Sequence, residues 1–507
     1  MCPGVSDADQ SGSLAARTAK GAGWLIGWRL ASRLLGILNT VVLVRLLLPS
    51  DFGLLALATS FSFAIDGMSY IGVQDALIRE PVLDRPLYDT GFTMTLLRGS
   101  LTALLIVACA WPAARFFGDA RLAAIFLALA FGMFLTALEN IGTIDFQRDL
   151  TFGKQVRIMF VPRVASVIVS IACAVVWRSY WALVAGMLVA RGMRVVFTYA
   201  VHPYRPRLSL RAWRRLIGFS AWSWGLSIAS LLQTRSDTII LGGYLNPAAV
   251  GVYSVGGEVG SLPTSELMEP ISRVLYAGFS SARRTGGGVA SAYIRAISLL
   301  VLLTLPASAG LALIARPMMH LVFGSRWDAA VPLVQLFAFI GMFRTSGAVS
   351  AVLLTAEGLV ARAFRVEVVS AVLRVALLLA LVPHFGLLGA AGAVAVIALV
   401  EEAFYLVITF RHTGLRARDL ALGMWRPALA TGVMSLVVLA AGLDQPLADV
   451  GVIWSSLGLA ATALLGAVIY GGTLWLAWFA SGRPRGAESY ILAMIWQATA
   501  LRHWLGR

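Results

Sequence analysis

The chain has 507 residues, of which 59% are hydrophobic and 13% are charged. A single soluble core cannot bury that much apolar surface, whereas lipid solvates it directly, so the composition excludes an ordinary soluble protein. The formal net charge of +16 would favour nucleic-acid binding in a soluble chain, but in a membrane protein the distribution of the charges decides what they do.

Fourteen apolar runs are long enough to cross a membrane. A hydrocarbon core of about 30 Å requires roughly 17–25 apolar residues in a helix. The sequence therefore predicts an all-α integral membrane protein with about 14 transmembrane helices. The predicted spans are 22–44, 52–74, 90–112, 121–141, 158–177, 179–201, 216–243, 249–271, 296–315, 331–355, 364–383, 387–410, 424–442 and 452–480.

The basic residues lie mostly on one side of these predicted spans. Cytoplasmic loops of membrane proteins are rich in Lys and Arg, and the alternation holds throughout the chain if the N-terminus is cytoplasmic. The positive charge is therefore interpreted as orientation and contact with anionic membrane lipid, not as a nucleic-acid site. The outer turns hold only Arg45, Arg115, Arg121, Arg178, Arg316 and Arg326.

One stretch of the sequence occurs twice. Residues 24–53 align with residues 222–251 at a constant spacing, so that Gly53 falls on Gly251 (251 − 53 = 198). Six predicted spans separate the starts of the two copies, and because six is even, both copies cross the membrane in the same direction. Parallel repeats of this kind enclose a central cavity in many transporters and move against each other to give alternating access.

The repeat predicts two parallel six-helix lobes around a central cavity, followed by two C-terminal helices. The polar start shows no signal-peptide pattern, and the end alternates apolar residues with arginines, as expected of an amphipathic helix on the inner surface. The predicted regions are a cytoplasmic N-terminal segment 1–21, an N-lobe 22–201, a basic cytoplasmic linker 202–215, a C-lobe 216–410, two helices within 411–480 and a cytoplasmic amphipathic tail 481–507.

Few features favour catalysis. A Walker A loop requires Gly-Lys-Ser/Thr, but Lys20 is followed by Gly21 and Lys154 by Gln155. The histidines are scattered near helix ends without a metal-ligand partner at helical spacing. We therefore expect a transporter and not an enzyme, with no cofactor and no metal.

Charged residues inside the predicted spans are the best candidates for function. A charge at the centre of a helix costs about 2.5–3.5 kcal/mol on insertion scales, so it faces a cavity, a partner or the interface. Arg33, Arg344 and Arg374 lie deepest, whereas Arg98 and Arg163 are near enough to the cytoplasmic end to snorkel or pair. The predicted substrate-cavity residues are Arg33, Asn39, Asp66, Arg98, Arg163, Arg235, Asp237, Glu258, Arg344 and Arg374.

The charge balance of these candidates favours an anionic substrate. Asn39 and Asp237 occupy equivalent positions of the repeat (39 + 198 = 237), although Asp237 is as well explained by neutralising a nearby arginine. Arginines outnumber carboxylates inside the spans, and guanidinium groups bind phosphate oxygens in bidentate fashion.

Several segments resemble one transporter family. Pro49–Gly53 (PSDFG), Gly72–Ile78 (GVQDALI), Phe146–Phe152 (FQRDLTF) and Gly251–Ser254 (GVYS) are similar to the polysaccharide and lipopolysaccharide exporter branch of the MOP superfamily, which includes Wzx-type flippases. The resemblance covers about residues 20–410 and carries over no site residues.

The resemblance implies a flippase of the bacterial inner membrane. Such a protein moves undecaprenyl-diphosphate-linked oligosaccharide to the outer leaflet for O-antigen, capsule or exopolysaccharide synthesis. Its expected partners are that lipid, inner-membrane lipid, and polymerase and chain-length proteins of the same pathway. The glycan, the coupling ion and the oligomeric state stay open.

Two alternatives remain at this point. A drug or metabolite antiporter of the same superfamily would be expected to hold mainly acidic residues in its site. A membrane-embedded glycan polymerase or ligase would be expected to carry a long outer loop, and the predicted outer turns are short.

Overall fold

The computed structural model describes residues 27–29, 31–70, 72–80, 82–149, 152–217, 220–284, 288–445, 451–484 and 488–489. The predicted N-terminal segment 1–21 and the predicted amphipathic helix over 490–507 lie outside the described residues. The chain divides into two compact units, the first of which runs to Gly251 while the second begins at Val252.

The first unit is built from helices that pack pairwise. Helix α4 packs on α5, α7 on α8, and α10 along α2. A short 3₁₀ turn, Ile141–Ile144, precedes α6. The helices are α1 (31–46), α2 (Pro49–Met68), α3 (Val73–Arg79), α4 (Arg85–Phe116), α5 (Arg121–Ala137), α6 (Asp145–Arg148), α7 (Phe152–Trp177), α8 (Trp181–Val201), α9 (Trp213–Ile217) and α10 (Ser220–Tyr244).

The second unit has longer helices. Its best-buried contact joins α12 to α13, where Tyr293, Leu300 and Leu353 are fully buried. The first turn of α11 belongs to the first unit. The helices are α11 (Pro247–Arg284), α12 (Val289–Val322), α13 (Val331–Ala356), α14 (Val360–Thr413), α15 (Ala417–Ala440) and α16 (Gly451–Ala480).

Every predicted span overlaps a helix of the structure. In the part of the chain that the structure describes, eight helices are long and apolar enough to cross a membrane, and a bent pair of helices from Arg121 to Arg148 would make nine. No strand occurs in the described ranges. The all-α membrane fold is confirmed, whereas the number of fourteen crossings stays a prediction.

Helix α14 shows why helices and spans are counted differently. It has 54 residues, but its backbone breaks at Gly386, where φ is 55° and ψ is −129°. A residue with a side chain rarely adopts this conformation, which glycine reaches at little cost. The sequence predicted two spans, 364–383 and 387–410, on either side of this break.

The two copies of the repeat touch where their second helices begin. Helices α2 and α11 start at Pro49 and Pro247, where the missing proline N–H is not needed by the helix. A Cβ built on Gly53 would overlap the carbonyl oxygen of Pro247, and one built on Gly251 would overlap that of Pro49. Both glycines are therefore required for this close and reciprocal crossing of backbones.

The segment predicted as a basic linker is held firmly against α4. The backbone of residues 202–210 is not helical, and its groups bond to side chains of α4: Arg207 N–H donates to Asp89 at 3.0 Å and Ser209 N–H donates to Thr93 at 2.9 Å. The Tyr204 hydroxyl donates to Asp89 at 2.6 Å. Burial, together with this hydrogen bond, raises the pKa of Tyr204, so its hydroxyl remains a donor. We call residues 202–212 the strap.

Candidate functional site

A cavity of about 480 Å³ lies in the first unit between α2 and α10. Three of its residues, Phe63, Asp66 and Gly67, share one face of α2, and Tyr70 follows just after the end of that helix. The cavity is lined by Phe63, Asp66, Gly67, Tyr70, Ser230, Leu231, Thr234 and Arg235. Three predicted site residues meet at or beside it, namely Asp66, Arg235 and, from α4, Arg98.

Asp66 and Arg98 form an ion pair inside the first unit. Arg98 Nη1 lies 3.1 Å from Asp66 Oδ1, and the two side chains are 22% and 29% exposed. The same nitrogen donates to the Asp66 carbonyl and to Ser69 Oγ, both at 3.4 Å. The pair is partly accessible, so a stronger anion entering the cavity can compete with Asp66 for the guanidinium.

Aromatic rings support both cavity arginines. The Arg235 guanidinium lies 5.1 Å from the centroid of the Phe63 ring, and the Arg98 guanidinium lies 5.8 Å from that of Tyr70. A cation over a ring face is attracted by the negative face of the π-system. The rings therefore hold the guanidiniums in place without neutralising their charge.

The local charge balance is positive. Arg191 of α8 interacts electrostatically with Asp66 and Glu139, and its Nη1 atom is buried without a hydrogen-bond partner in the described structure. Glu139 is itself paired with Arg194 at 3.2 Å. At the cavity itself, Arg98 and Arg235 stand against the single carboxylate of Asp66, which leaves a net charge of +1 (2 − 1).

The other first-unit candidates lie apart from the cavity lining. Arg33 and Asn39 are half-buried on α1, and the Asn39 side-chain oxygen has no hydrogen-bond partner within the described residues. Arg163 is exposed on α7 beside Gly36, where an added Cβ would lie 3.2 Å from its Nη2 atom. Asp237 is buried on α10 and accepts a hydrogen bond from Thr238 N–H.

The second unit carries the remaining candidates. Glu258 is exposed on α11 and Arg344 is exposed on α13, whereas Arg374 is half-buried on α14. Both of these arginines interact electrostatically with Glu401 of α14. No cluster of three or more His, Cys, Asp or Glu side chains suited to a metal occurs among the residues that the structure describes.

Sequence analysis missed the uncharged half of the site. Phe63 and Tyr70 were not candidates because aromatic residues are common in apolar spans, and Ser230 and Thr234 carry no charge. The available signal was the stripe of Phe63, Asp66 and Gly67 on one helical face. A carboxylate inside such a stripe marks a face that does not point into lipid.

Comparisons with known proteins agree with this architecture. A family model described as "Polysaccharide biosynthesis protein" matches residues 42–332, more than half of the chain. The lipopolysaccharide biosynthesis protein WzxC of Escherichia coli is 24% identical over 364 residues, which cover 70% of this chain and 73% of that protein. The succinoglycan biosynthesis transport protein ExoT of Rhizobium meliloti is 23% identical, with coverages of 62% and 65%.

A solved transporter has the same fold. The structure of lipid II flippase MurJ in an inward closed conformation superposes with a TM-score of 0.73 at 13% identity, covering 91% of this chain and 99% of that one. The resemblance that the sequence motifs indicated is confirmed by the family model. The names of these proteins, a transport protein and a flippase among them, confirm the expectation of a transporter and not an enzyme.

Proposed function

This chain belongs to the polysaccharide biosynthesis protein family, and we propose that it is a flippase for oligosaccharide linked to a polyprenyl diphosphate. The lipid-linked sugar is moved across a bacterial inner membrane for surface polysaccharide synthesis, by alternating access. Both termini are cytoplasmic in this proposal, and polymerase and chain-length proteins act on the product outside.

The observation that carries the proposal is the basic cavity of the first unit. A diphosphate brings two negative charges, and the Arg98 and Arg235 guanidiniums with Asp66 present a net positive charge. Arg235 is held over the Phe63 ring, and the contacts of Arg98 to Asp66 and Ser69 all use its Nη1 nitrogen. Guanidinium binds phosphate oxygens through two parallel hydrogen bonds, so the cavity suits the charged part of the lipid.

The Asp66–Arg98 pair provides a way to bind and then release the headgroup. Arg98 Nη1 lies 3.1 Å from Asp66 Oδ1. An arriving phosphate displaces the Asp66 carboxylate from Arg98. The Asp66–Arg98 ion pair forms again when the cavity opens to the other side of the membrane. The pair is partly exposed and such pairs contribute only about 0.2–1 kcal/mol, so the exchange needs little energy.

The positive balance also weighs against the drug-antiporter alternative. A cationic drug would meet two guanidiniums, those of Arg98 and Arg235, and one carboxylate, and like charges repel. We therefore propose the anionic lipid as substrate. The predicted further candidates, Arg33, Asn39, Arg163, Asp237, Glu258, Arg344 and Arg374, remain proposals for later stages of the path.

Complementation of a bacterium that lacks its lipid-linked oligosaccharide flippase tests the proposal. Loss of charged hydrogen bonds worth about 1.5–3 kcal/mol each predicts that Arg98→Ala and Arg235→Ala lower transport by about 10- to 100-fold. Arg115→Ala is the matched control, because Arg115 is exposed at the far end of the same helix as Arg98. Equal rescue by all variants at equal expression would show that the cavity arginines do not take part in transport.

A further inference from the structure

A carboxyl group of the second unit lies buried between two helices. Glu402 of α14 is 9% exposed. Its Oε1 atom accepts a hydrogen bond from Ser346 Oγ, and its Oε2 atom accepts one from the Gly347 backbone N–H at 2.7 Å. Both donors belong to α13, and both are neutral.

Helix α13 is shaped to receive this carboxyl. A Cβ built on Gly347 would lie 2.5 Å from Glu402 Oε2, which is closer than two such atoms can approach. With glycine at position 347, the Glu402 carboxyl group reaches the backbone N–H without being displaced by a side chain. The contact is a built site and not a chance approach of two side chains.

No cation is in contact with Glu402 in the described part of the chain. The charged and titratable groups around it are Glu401 on the same helix, Arg344 on α13 and Tyr293 on α12. Arg344 is exposed and acts only at longer range, and Glu401 adds a like charge. An ionised carboxylate in such a place is disfavoured by the loss of water and by its neighbour.

The surroundings accept both protonation states. A serine hydroxyl can donate or accept, so Ser346 donates to the ionised carboxylate and accepts from the protonated one. More hydroxyls follow along the α12–α13 contact: Ser350 Oγ donates to the Ser346 carbonyl at 2.8 Å and lies 2.6 Å from the Tyr293 hydroxyl. The hydroxyls of Ser346, Ser350 and Tyr293 can therefore exchange hydrogen-bond partners when Glu402 gains or loses a proton.

The first unit offers a contrast within the same molecule. Glu139 lies two residues after the end of α5, in the fourth predicted span of the first half. It forms an ion pair at 3.2 Å with Arg194, which lies in the sixth predicted span. Glu402 joins the fourth and sixth predicted spans of the other half, but its partners are a hydroxyl and a backbone amide. Glu139 therefore has a cation at ion-pair distance, whereas the contacts of Glu402 are made by neutral donors.

We propose that Glu402 is a proton-binding site that loads and releases one proton in each transport cycle. The reaction is the addition of a proton to the carboxylate to give the carboxylic acid, with no change of oxidation state. A hard metal cation takes about six oxygen ligands, whereas Glu402 is one carboxyl group contacted by two hydrogen-bond donors, so the site does not supply a metal's ligand set. The coupling of this proton to lipid movement rests on the proposed function, but the proton site itself does not.

Infrared titration of the purified full-length protein tests the site directly. In the difference between the spectra of wild type and Glu402→Gln, the C=O stretching band of one protonated carboxyl group should appear as the pH is lowered. The amide of this variant can accept from Gly347 N–H and donate to Ser346 Oγ. Glu139→Gln is the matched control and should retain the band. Absence of the band from wild type, or its persistence in Glu402→Gln, would overturn the proposal, as would a response to sodium in place of protons.

Reconstituted vesicles then separate coupling from transport. With an imposed pH gradient, wild type should move lipid-linked oligosaccharide several-fold faster, and Glu402→Gln should not respond. Lipid movement that ignores the pH gradient in wild type would overturn the coupling and leave the proposed function standing. A proton band without any lipid movement would support the site and overturn the proposed function.

Discussion

At the scale of residues, the ion pair of Asp66 and Arg98 decides how tightly an anion binds in the first unit. The pair holds Arg98 in place beside Tyr70. It also competes with the ligand, because one guanidinium cannot serve a carboxylate and a phosphate fully at the same time. Binding strength and release are therefore coupled through one carboxylate.

Removing the negative charge of Asp66 should strengthen binding. Asp66→Asn leaves an oxygen for Arg98 but ends the competition, and a partly exposed pair contributes about 0.2–1 kcal/mol. We expect affinity for a polyprenyl diphosphate to rise about 2- to 5-fold while turnover falls, as measured by calorimetric titration and a transport assay. Weaker binding by Asp66→Asn would show that the carboxylate positions Arg98 and does not compete.

The contact between Asp66 and Arg98 could not be predicted from the sequence. Both residues were candidates because each places a charge inside an apolar run. Which partner each residue contacts depends on how α2 packs against α4. The hydrophobic pattern of a helix indicates which face is buried but not which helix packs against that face. The support of Arg235 by Phe63 was missed for the same reason.

At the scale of elements, the reciprocal crossing of α2 and α11 leaves no room for a side chain at Gly53 or Gly251. A methyl group at Gly53 or Gly251 would overlap the backbone of the opposite copy. Small residues allow membrane helices to approach closely, and here the same two positions of the repeat use glycine. The alignment of the two copies matched these glycines but did not indicate that they touch.

Alanine at either glycine should therefore destabilise the protein. Overpacking costs about 1–3 kcal/mol, so Gly53→Ala and Gly251→Ala should each lower the thermal unfolding midpoint of the detergent-purified protein. Gly432→Ala on α15 is the control, because an added Cβ there meets open space and alanine favours the helix by about 1 kcal/mol. Unchanged midpoints for both crossing variants would contradict the close contact.

The strap shows the limit of sequence reasoning for an irregular segment. Residues 202–215 were predicted as a linker from their charge and their lack of an apolar run. The bonds from Arg207 and Ser209 to α4 involve backbone N–H groups, which every residue except proline carries. Composition therefore gives no sign that this segment is fixed.

At the scale of the whole molecule, hydrophobic run length predicted nearly all of the helical order. Each predicted span falls on a helix because a lipid core requires a minimum apolar length. The helix ends were less well predicted: α11 has 38 residues and α12 has 34. A helix continues into polar surroundings where its backbone bonds remain satisfied, and an apolarity criterion cannot detect that part.

The predicted orientation can be checked with single cysteines. In a variant without Cys2, Cys109 and Cys173, Arg211→Cys on the strap should react with a membrane-impermeant thiol reagent only after the inner membrane is opened. Arg326→Cys, in a predicted outer turn, should react in cells whose inner membrane is intact. The opposite pattern would invert the predicted topology and place both termini outside the cytoplasm.

The most direct test of the proposed flippase is lipid translocation by the purified protein in vesicles. Polyprenyl-diphosphate-linked oligosaccharide is incorporated in both leaflets, and the fraction that a membrane-impermeant glycosidase reaches is followed with time. We predict that wild type makes the inner-leaflet pool accessible, and that Arg235→Ala does so about 10- to 100-fold more slowly because a charged hydrogen bond is lost. An inner pool that stays protected in the presence of folded wild type would contradict the proposed function.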